Sequence, residues 1–217
     1  MNQRVAVLAP HPDDFDAIGV TMRNLHRKGH HIELAVLTGG ANGVPDGFGG
    51  ATTAEDKARV REAEQRASCA FFGLPENQLT FLRLTGDGTD HTKVREFLER
   101  VRPELVFLPH GNDSNATHRR VYALLRVVAK DIELKAEAFL NRDPKTIAMR
   151  HDLLTFFGPK DAAWKGELLR HHASQHARNM EERGHGIDER VLAVNRRVAE
   201  EAGRPRDFAE AFEIERL

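Results

Sequence analysis

Apolar segments and stretches of helical spacing alternate along the first 130 residues. Four short apolar runs predict buried strands: RVAVLA, IELAVLT, LTFLRL and ELVFLP, beginning at residues 4, 32, 79 and 104. Helical spacing between and after them predicts four helices. Three of these extend over 16–28, 92–100 and 117–129. The fourth begins at a capping box formed by Thr52 and Glu55 and ends at Phe72. This alternation predicts an α/β fold with a mostly parallel, doubly wound sheet and helices on both faces.

The last third of the chain is less regular. The segment TIAMRHDLLTFFG has room for two strands, residues 162–180 and 188–202 predict helices, and DFAEAFEIE predicts a closing strand. Because no linker or repeat interrupts the pattern, we expect one domain over residues 1–217.

Composition narrows the classes of partner. The net charge of −1 among 217 residues argues against nucleic acid or an anionic membrane as a partner. No apolar run approaches the roughly 18 residues of a transmembrane helix. Cys69 is the single cysteine and is expected to be buried and inert. Together these features favour a cytoplasmic protein, and the 12 histidines are a weak indication of metal chemistry.

Polar residues follow the first and fourth predicted strands. His11, Asp13 and Asp14 come after the first strand, and HGNDSNATH, residues 110–118, comes after the fourth. In a sheet of strand order 3-2-1-4 these loops meet at the point where strand order reverses, which is where open α/β sheets bind ligands. The topology therefore predicts one site built from both loops.

The residue types in these loops match a catalytic zinc site. His and Asp, with a further His from the distant loop, are nitrogen and oxygen ligands for zinc, and three protein ligands leave a position for water. A carboxylate at Asp13 that is not a ligand could act as a general base on that water. The alternatives are that Asp13 or Asp14 caps the following helix and that His11 is an ordinary polar residue at a strand end.

Other candidate motifs are weaker. The glycine-rich loop at 39–50 lacks both phosphate-binding patterns, and we expect it near the mouth of the site or as an ordinary turn. His172 and His176 lie four residues apart on a predicted helix, but the Glu of a metalloprotease H-E-x-x-H motif is missing. Arg61 and Glu64 are equally compatible with a solvated helix face.

Several segments together resemble one family. PHPDD at 10–14 with a downstream loop ending in His118, REAEQRASCAFFGL, KGELLRHHASQ and FAEAF are similar to motifs of the PIG-L/LmbE-like zinc-dependent N-deacetylases. The resemblance extends from Val5 to Phe212. It implies a Rossmann-like sheet and removal of an acyl group, usually acetyl, from an amino sugar or its conjugate, here most simply an N-acetylglucosaminyl compound.

The resemblance also implies roles for single residues. It makes His11, Asp14 and His118 the ligands of one zinc ion, or of another divalent metal, and Asp13 the general base. Arg61 matches an arginine that the family uses near the sugar. The expected partner is a small amino-sugar substrate, without nucleic acid or membrane, and a homo-oligomer is left open.

The sequence departs from the family pattern at three positions. Phe15 replaces a Glu, Asn115 replaces a His that assists the reaction, and Thr117 replaces the acidic residue that supports that His. Asn115 can still donate a hydrogen bond to an oxyanion. The departing amine needs a proton, either passed on by Asp13 or donated by His172.

Two other functions stay open. One is an amidase that acts on an amide outside the sugars. The other is a non-catalytic homologue that keeps the metal or sugar site, which the residues at 115 and 117 favour.

Overall fold

The four apolar runs of the first half form neighbouring parallel strands. In the computed structural model, which describes residues 2–217, they are β1 (Arg4–Ala9), β2 (His31–Val36), β3 (Leu79–Phe81) and β4 (Leu105–Pro109). They pair in parallel in the order β3-β2-β1-β4. The predicted α/β fold is confirmed, and the reversal of strand order lies between β1 and β4.

The second half of the chain extends the sheet beyond β4. The order continues β4-β5-β7-β6, with β5 at Glu137–Asn141, β6 at Leu153–Phe157 and β7 at Phe208–Arg216. Strand β5 is parallel to β4, whereas β7 runs antiparallel to both β5 and β6. The closing strand is therefore present, but TIAMRHDLLTFFG contains one strand rather than two. β5 was not predicted from the sequence, because its five residues are buried except for the first and so show no alternation of apolar and polar positions.

The helices begin and end near the predicted positions in the first half, with more breaks than predicted. The prediction over 16–28 is wrong in detail because the helix is divided at Ile18, and the prediction over 162–180 is wrong because the helix is divided at His171 and His172. The N-cap of the third helix is Thr53, not Thr52, and its hydroxyl accepts a hydrogen bond from the backbone N–H of Asp56 at 3.1 Å. The helices are α1 (Asp14–Ala17), α2 (Gly19–Arg27), α3 (Ala54–Phe72), α4 (Asp90–Val101), α5 (Ala116–Asp131), α6 (Pro159–Arg170), α7 (Ala173–Arg183) and α8 (Ile187–Glu201).

Apolar clusters cover both faces of the sheet. Successive residues of β1 point to opposite faces, so that Val5 and Val7 pack with α1, α2 and α3, while Ala6 and Leu8 pack with α4 and α5. Cys69 is buried, and its burial raises the pKa of its thiol to about 12. Within residues 2–217, none of the helices combines the length and the apolar character that crossing a membrane requires.

A buried ion pair joins the closing strand to the helices that follow β1. The Lys165 ammonium on α6 donates to Glu210 at 2.7 Å, to Asn195 at 2.7 Å and to the carbonyl of Ala17 at 2.5 Å. Glu210 on β7 also accepts hydrogen bonds from the first-turn backbone N–H groups of α2, at Val20 and Thr21. The carboxylate therefore caps α2, which explains why α2 begins as a separate helix after Ile18.

We expect Lys165→Met to lower the free energy of unfolding by about 3–5 kcal/mol, because it leaves the Glu210 charge buried without its partner. Urea unfolding followed by circular dichroism measures this change. The Lys165→Met/Glu210→Gln double variant, in which neither charge remains, should lose less than the sum of the single variants.

Lys160→Met is the matched control, since Lys160 is exposed on the same helix and should change stability by no more than about 0.5 kcal/mol. A Lys165→Met variant as stable as this control would show that the pair does not hold β7 against α2.

Candidate metal centre

The loop after β1 directs its neighbouring acidic residues to different partners. Asp14 begins α1, and its carboxylate accepts a hydrogen bond from the backbone N–H of His11 at 2.7 Å. Asp13 has a left-handed backbone, with φ at 106°, and its backbone N–H donates to the Gln65 side chain at 3.0 Å. A left-handed backbone is uncommon for a residue other than glycine and is often found at functional sites. The two carboxylates can therefore have separate functions.

The side chain of Asp13 does not cap α1. Asp13 is at the N-cap position, but its carboxylate makes no capping hydrogen bond. Instead it accepts a hydrogen bond from Arg61 of α3 at 2.9 Å. The capping alternative for Asp13 does not describe this arrangement.

Two imidazoles and one carboxylate converge between β1 and β4. The potential ligand atoms of His11, Asp14 and His118 all lie within 4.8 Å of one another. Asp14 has one carboxylate oxygen 3.3 Å from His11 Nδ1 and the other 3.5 Å from His118 Nε2. Asp14 and His118 are buried, and His11 is partly exposed. Two imidazole nitrogens and a carboxylate are the donor set that catalytic zinc sites use, so the residues fit such an ion.

The other ring nitrogen of His118 is held by a second carboxylate. His118 Nδ1 lies 3.2 Å from Asp113, which is fully buried after β4. This contact orients Nε2 towards Asp14. Metal-binding histidines are typically held in this way by a carboxylate on the nitrogen that faces away from the metal. Asp113 is a member of this site that the sequence pattern did not single out.

The electrostatics of this cluster also fit a cation. Burial disfavours the charged form of Asp14, but His118 and His11 lower the pKa of Asp14 to about 2. Burial likewise disfavours protonated His118, but Asp14 and Asp113 raise the pKa of His118 to about 9. The carboxylates therefore attract positive charge to this point, and a divalent ion would supply it in place of a proton.

The residues of the cluster open into a cavity of about 520 Å³. Asp13, Arg61, Asn115 and Thr117 line it together with His11, Asp14 and His118. The glycine-rich loop lines it through Gly40–Gly43, in agreement with its predicted place near the site. The cavity has the volume of a small-molecule site and lies where the strand order reverses.

Arg61 is buried rather than solvated. Its guanidinium bonds the carbonyl of Pro12 and the carboxylate of Asp13, and it lies 3.5 Å from Glu64. Glu64 in turn accepts hydrogen bonds from Ser174 at the start of α7. Arg61 Nε and Nη1 have no hydrogen-bond partner among the described residues, although the residue lines the cavity. Arg61 therefore holds Asp13 in place at the wall of the cavity.

Asn115 is the N-cap of α5. Its side-chain oxygen accepts from the backbone N–H of Thr117 at 2.9 Å, which leaves the amide nitrogen as its free donor. Phe15, another departure from the family pattern, is fully buried and packs edge-on against Phe72, with ring centroids 5.0 Å apart. Its substitution for Glu therefore changes the core and not the cavity.

His172 is not brought into the cavity. It is fully buried at the N-cap of α7, where Nε2 bonds the Asp16 carboxylate at 2.8 Å. Asp16 also receives hydrogen bonds from Ser68 and from Gln65, the residue that holds the backbone of Asp13. The expectation that His172 could donate a proton to the substrate does not fit this geometry, because the side chain faces Asp16. It orients the start of α1 instead.

Asp143 is a cavity residue that no sequence motif reveals. It follows β5, and its carboxylate lies within 4.8 Å of the potential ligand atoms of Asp113 and His118. Burial raises the pKa of Asp143 to about 6, against the lowering effect of His118. It adds a further carboxyl group to the part of the cavity near the cluster.

These features define the class of the protein as an α/β protein with a His/His/Asp cluster that could hold a metal ion and a cavity at the switch point of the sheet. Residues 6–129 match the family model described as PIG-L, GlcNAc-PI de-N-acetylase. The match covers more than half of the chain, and the protein therefore belongs to the PIG-L family. No curated protein gave a significant sequence match.

Solved structures share the fold at low sequence identity. The N,N'-diacetylchitobiose deacetylase from Pyrococcus horikoshii is 19% identical, with a TM-score of 0.79 over 98% of this chain and 84% of that one. The A40926 pseudoaglycone deacetylase is 13% identical, with a TM-score of 0.71 over 100% and 98%. The 4-carboxy-2-hydroxymuconate hydratase GalB from Pseudomonas putida KT2440 is 18% identical, with a TM-score of 0.72 over 99% and 96%. The fold thus occurs both in deacetylases and in a hydratase.

We expect the purified protein to bind about one divalent ion per chain, zinc by preference, since the donors are two imidazoles and a carboxylate. His11→Ala and His118→Ala should each lose most of this metal, measured by mass spectrometry of the metal content after dialysis. His91→Ala, which changes a histidine paired with Asp131 at the opposite end of α5 from His118, should keep it. Full metal occupancy in both ligand variants would place the ion elsewhere.

Proposed function

We propose that this protein is a metal-dependent hydrolase that removes the acetyl group from an N-acetylated amino sugar or its conjugate. The observation that carries the proposal is the place of Asp13. Its carboxylate lines the cavity beside the His11, Asp14 and His118 cluster without belonging to it. Hydrolysis of an amide needs a base at such a position, and membership of the PIG-L family supports the amino-sugar amide as the substrate.

The cluster would hold a divalent ion, most simply zinc, which when bound polarises an amide carbonyl and acidifies water. Asp13 accepts the proton of the attacking water. Arg61 fixes the Asp13 carboxylate in place through its 2.9 Å contact and lines the part of the cavity in which the sugar would bind. The Asn115 amide nitrogen donates to the oxygen on which negative charge develops.

The departing amine requires a proton, because an amide anion is a poor leaving group. His172 faces Asp16 inside the protein, and Asn115 has no titratable proton. Asp13, having taken the proton of water, can deliver it to the nitrogen and so serve both steps. In this assignment the Asp13 carboxyl group acts first as the base and then, once protonated, as the acid. No histidine is needed to protonate the amine.

A hydratase activity is a second candidate function, and the comparison with one solved structure supports it. GalB has the same fold and is a hydratase, which shows that the fold does not restrict the reaction to deacetylation. An amidase acting on a different amide and a non-catalytic binding protein are the further alternatives.

A substrate panel separates these functions. Zinc-loaded protein is incubated with N-acetylglucosamine, N,N'-diacetylchitobiose and their conjugates, and in parallel with N-acetylated amino acids, and the free amine is measured. Release of amine from the sugars alone supports the proposal, and release from the amino acids alone supports the amidase. Bound metal with no release from any amide would contradict both hydrolase functions and leave the hydratase and the binding protein. His118→Ala serves as the background control.

We expect Asp13→Asn to lower kcat roughly a hundredfold or more while metal content stays near that of the parent, because the base is lost and the metal-binding cluster is not. Steady-state deacetylation and metal analysis on the same preparation measure both. Asp46→Asn is the control, because Asp46 is exposed in the glycine-rich loop. Loss of metal in Asp13→Asn equal to that in Asp14→Asn would contradict the separation of base and ligand.

A further inference from the structure

The cavity contains more basic side chains than its proposed chemistry uses. Five arginines and lysines line it, against three aspartates, and the metal cluster already includes one of those aspartates. The basic residues come from different parts of the fold and are Arg61, Arg120, Lys145, Arg178 and Arg190. A bound divalent ion would make the cavity still more positive.

Three of these cations are paired with acidic residues of the protein. Arg61 contacts Asp13 and Glu64, Arg120 lies 3.3 Å from Asp90, and Arg178 lies 2.7 Å from Glu182. Within residues 2–217, Lys145 and Arg190 have no carboxylate within 4.0 Å. Lys145 is exposed, so that water solvates its charge. Arg190 is therefore the cavity-lining cation, among residues 2–217, that has neither a carboxylate partner nor an exposed side chain.

Arg190 is partly buried on α8, and its guanidinium makes no hydrogen bond to any described residue. Burial lowers its pKa, and the neighbouring charges of Arg183 and Arg178 lower it further, while Asp143 and Asp13 raise it from across the cavity. A partly desolvated cation with cationic neighbours is costly unless an anion pairs with it. Asp13 and Asp143 do not contact it, and Asp13 is already bound to Arg61. The missing anion would therefore come from a ligand.

We propose that Arg190 binds an anionic group, a carboxylate or a phosphate, on the part of the substrate that lies beyond the N-acetyl group. This inference rests on the proposed deacetylase function and specifies its substrate class as anionic conjugates of an N-acetylated amino sugar. Arginine suits this role because its planar guanidinium binds either oxyanion through two hydrogen bonds. Arg178 and Lys145 add to the positive potential around the same group.

The test uses two pairs of substrates, each with one anionic and one neutral member. The carboxymethyl and carbamoylmethyl glycosides of N-acetylglucosamine form one pair, and N-acetylglucosamine 1-phosphate and methyl N-acetylglucosaminide form the other. We expect kcat/KM of the zinc-loaded parent to be about tenfold to a hundredfold higher for the anionic member of at least one pair. The pair with the larger ratio distinguishes a carboxylate from a phosphate.

Arg190→Gln should remove this preference, mainly through KM, and leave the neutral substrates nearly unchanged. Arg190→Lys, which keeps the charge and loses the two-point contact, should be intermediate. Arg197→Gln is the matched control, because Arg197 is exposed on the same helix and does not line the cavity. Equal kcat/KM for both members of each pair would overturn the inference. An equal loss for neutral and anionic substrates in Arg190→Gln would also overturn it, since that result assigns Arg190 to the reaction itself.

A binding measurement separates failure of this inference from failure of the proposed function. Isothermal titration calorimetry of the zinc-loaded parent and of Arg190→Gln with the four glycosides needs no turnover. Tighter binding of the anionic members to the parent, lost in Arg190→Gln, supports the inference even if no acetate is released. Binding without charge preference, or a preference that survives in Arg190→Gln, overturns it.

Discussion

The burial of two neighbouring carboxyl groups, Asp14 and Asp16, beside the partly exposed Asp13 constrains the whole region around the site. Buried charges are stable only when they are paired or hydrogen-bonded. Asp16 is bound by Ser68, Gln65 and His172, Asp13 by Arg61 and Gln65, and Asp14 by the two histidines. Apart from His11, these partners belong to α3, α5 and the start of α7, so that pairing the three acids also fixes how these elements pack against the end of β1. The uncommon backbone of Asp13 is maintained by this network.

Much of the architecture near β1 could be predicted from sequence, because strand and helix patterns there are regular. The strand order brought the loop with His11 and Asp14 beside the loop with His118, across about a hundred residues of sequence. Arg61 was ambiguous, since a charged residue on a helix is usually solvated and its burial depends on distant partners. Asp143 and Arg190 could not be predicted, because loops and helices of the irregular last third bring them to the cavity. His172 is a residue type that can protonate the departing amine, but only the packing shows that its side chain faces Asp16.

The departures from the family pattern affect the molecule unequally. Phe15 joins the apolar cluster under the sheet and leaves the cavity unchanged. Asn115 keeps a donor at the edge of the cavity while its oxygen caps α5. His118 is supported by Asp113, five positions earlier in the chain, so that the departures at positions 115 and 117 remove no partner of this imidazole. The altered loop therefore keeps the geometry of the His118 side chain and changes the groups that face the cavity.

The place of β7 has a consequence for how the protein is made. β7 follows all other strands in the chain but lies between β5 and β6, and its Glu210 bonds α2 across separations of 190 and 189 residues. Contacts of such long separation form slowly and late in folding. While the chain is being synthesised, α2, which follows the loop with His11 and Asp14, lacks its cap until residue 210 has left the ribosome. The structure around the loop that carries His11 and Asp14 is therefore completed only once the last strand has joined the sheet.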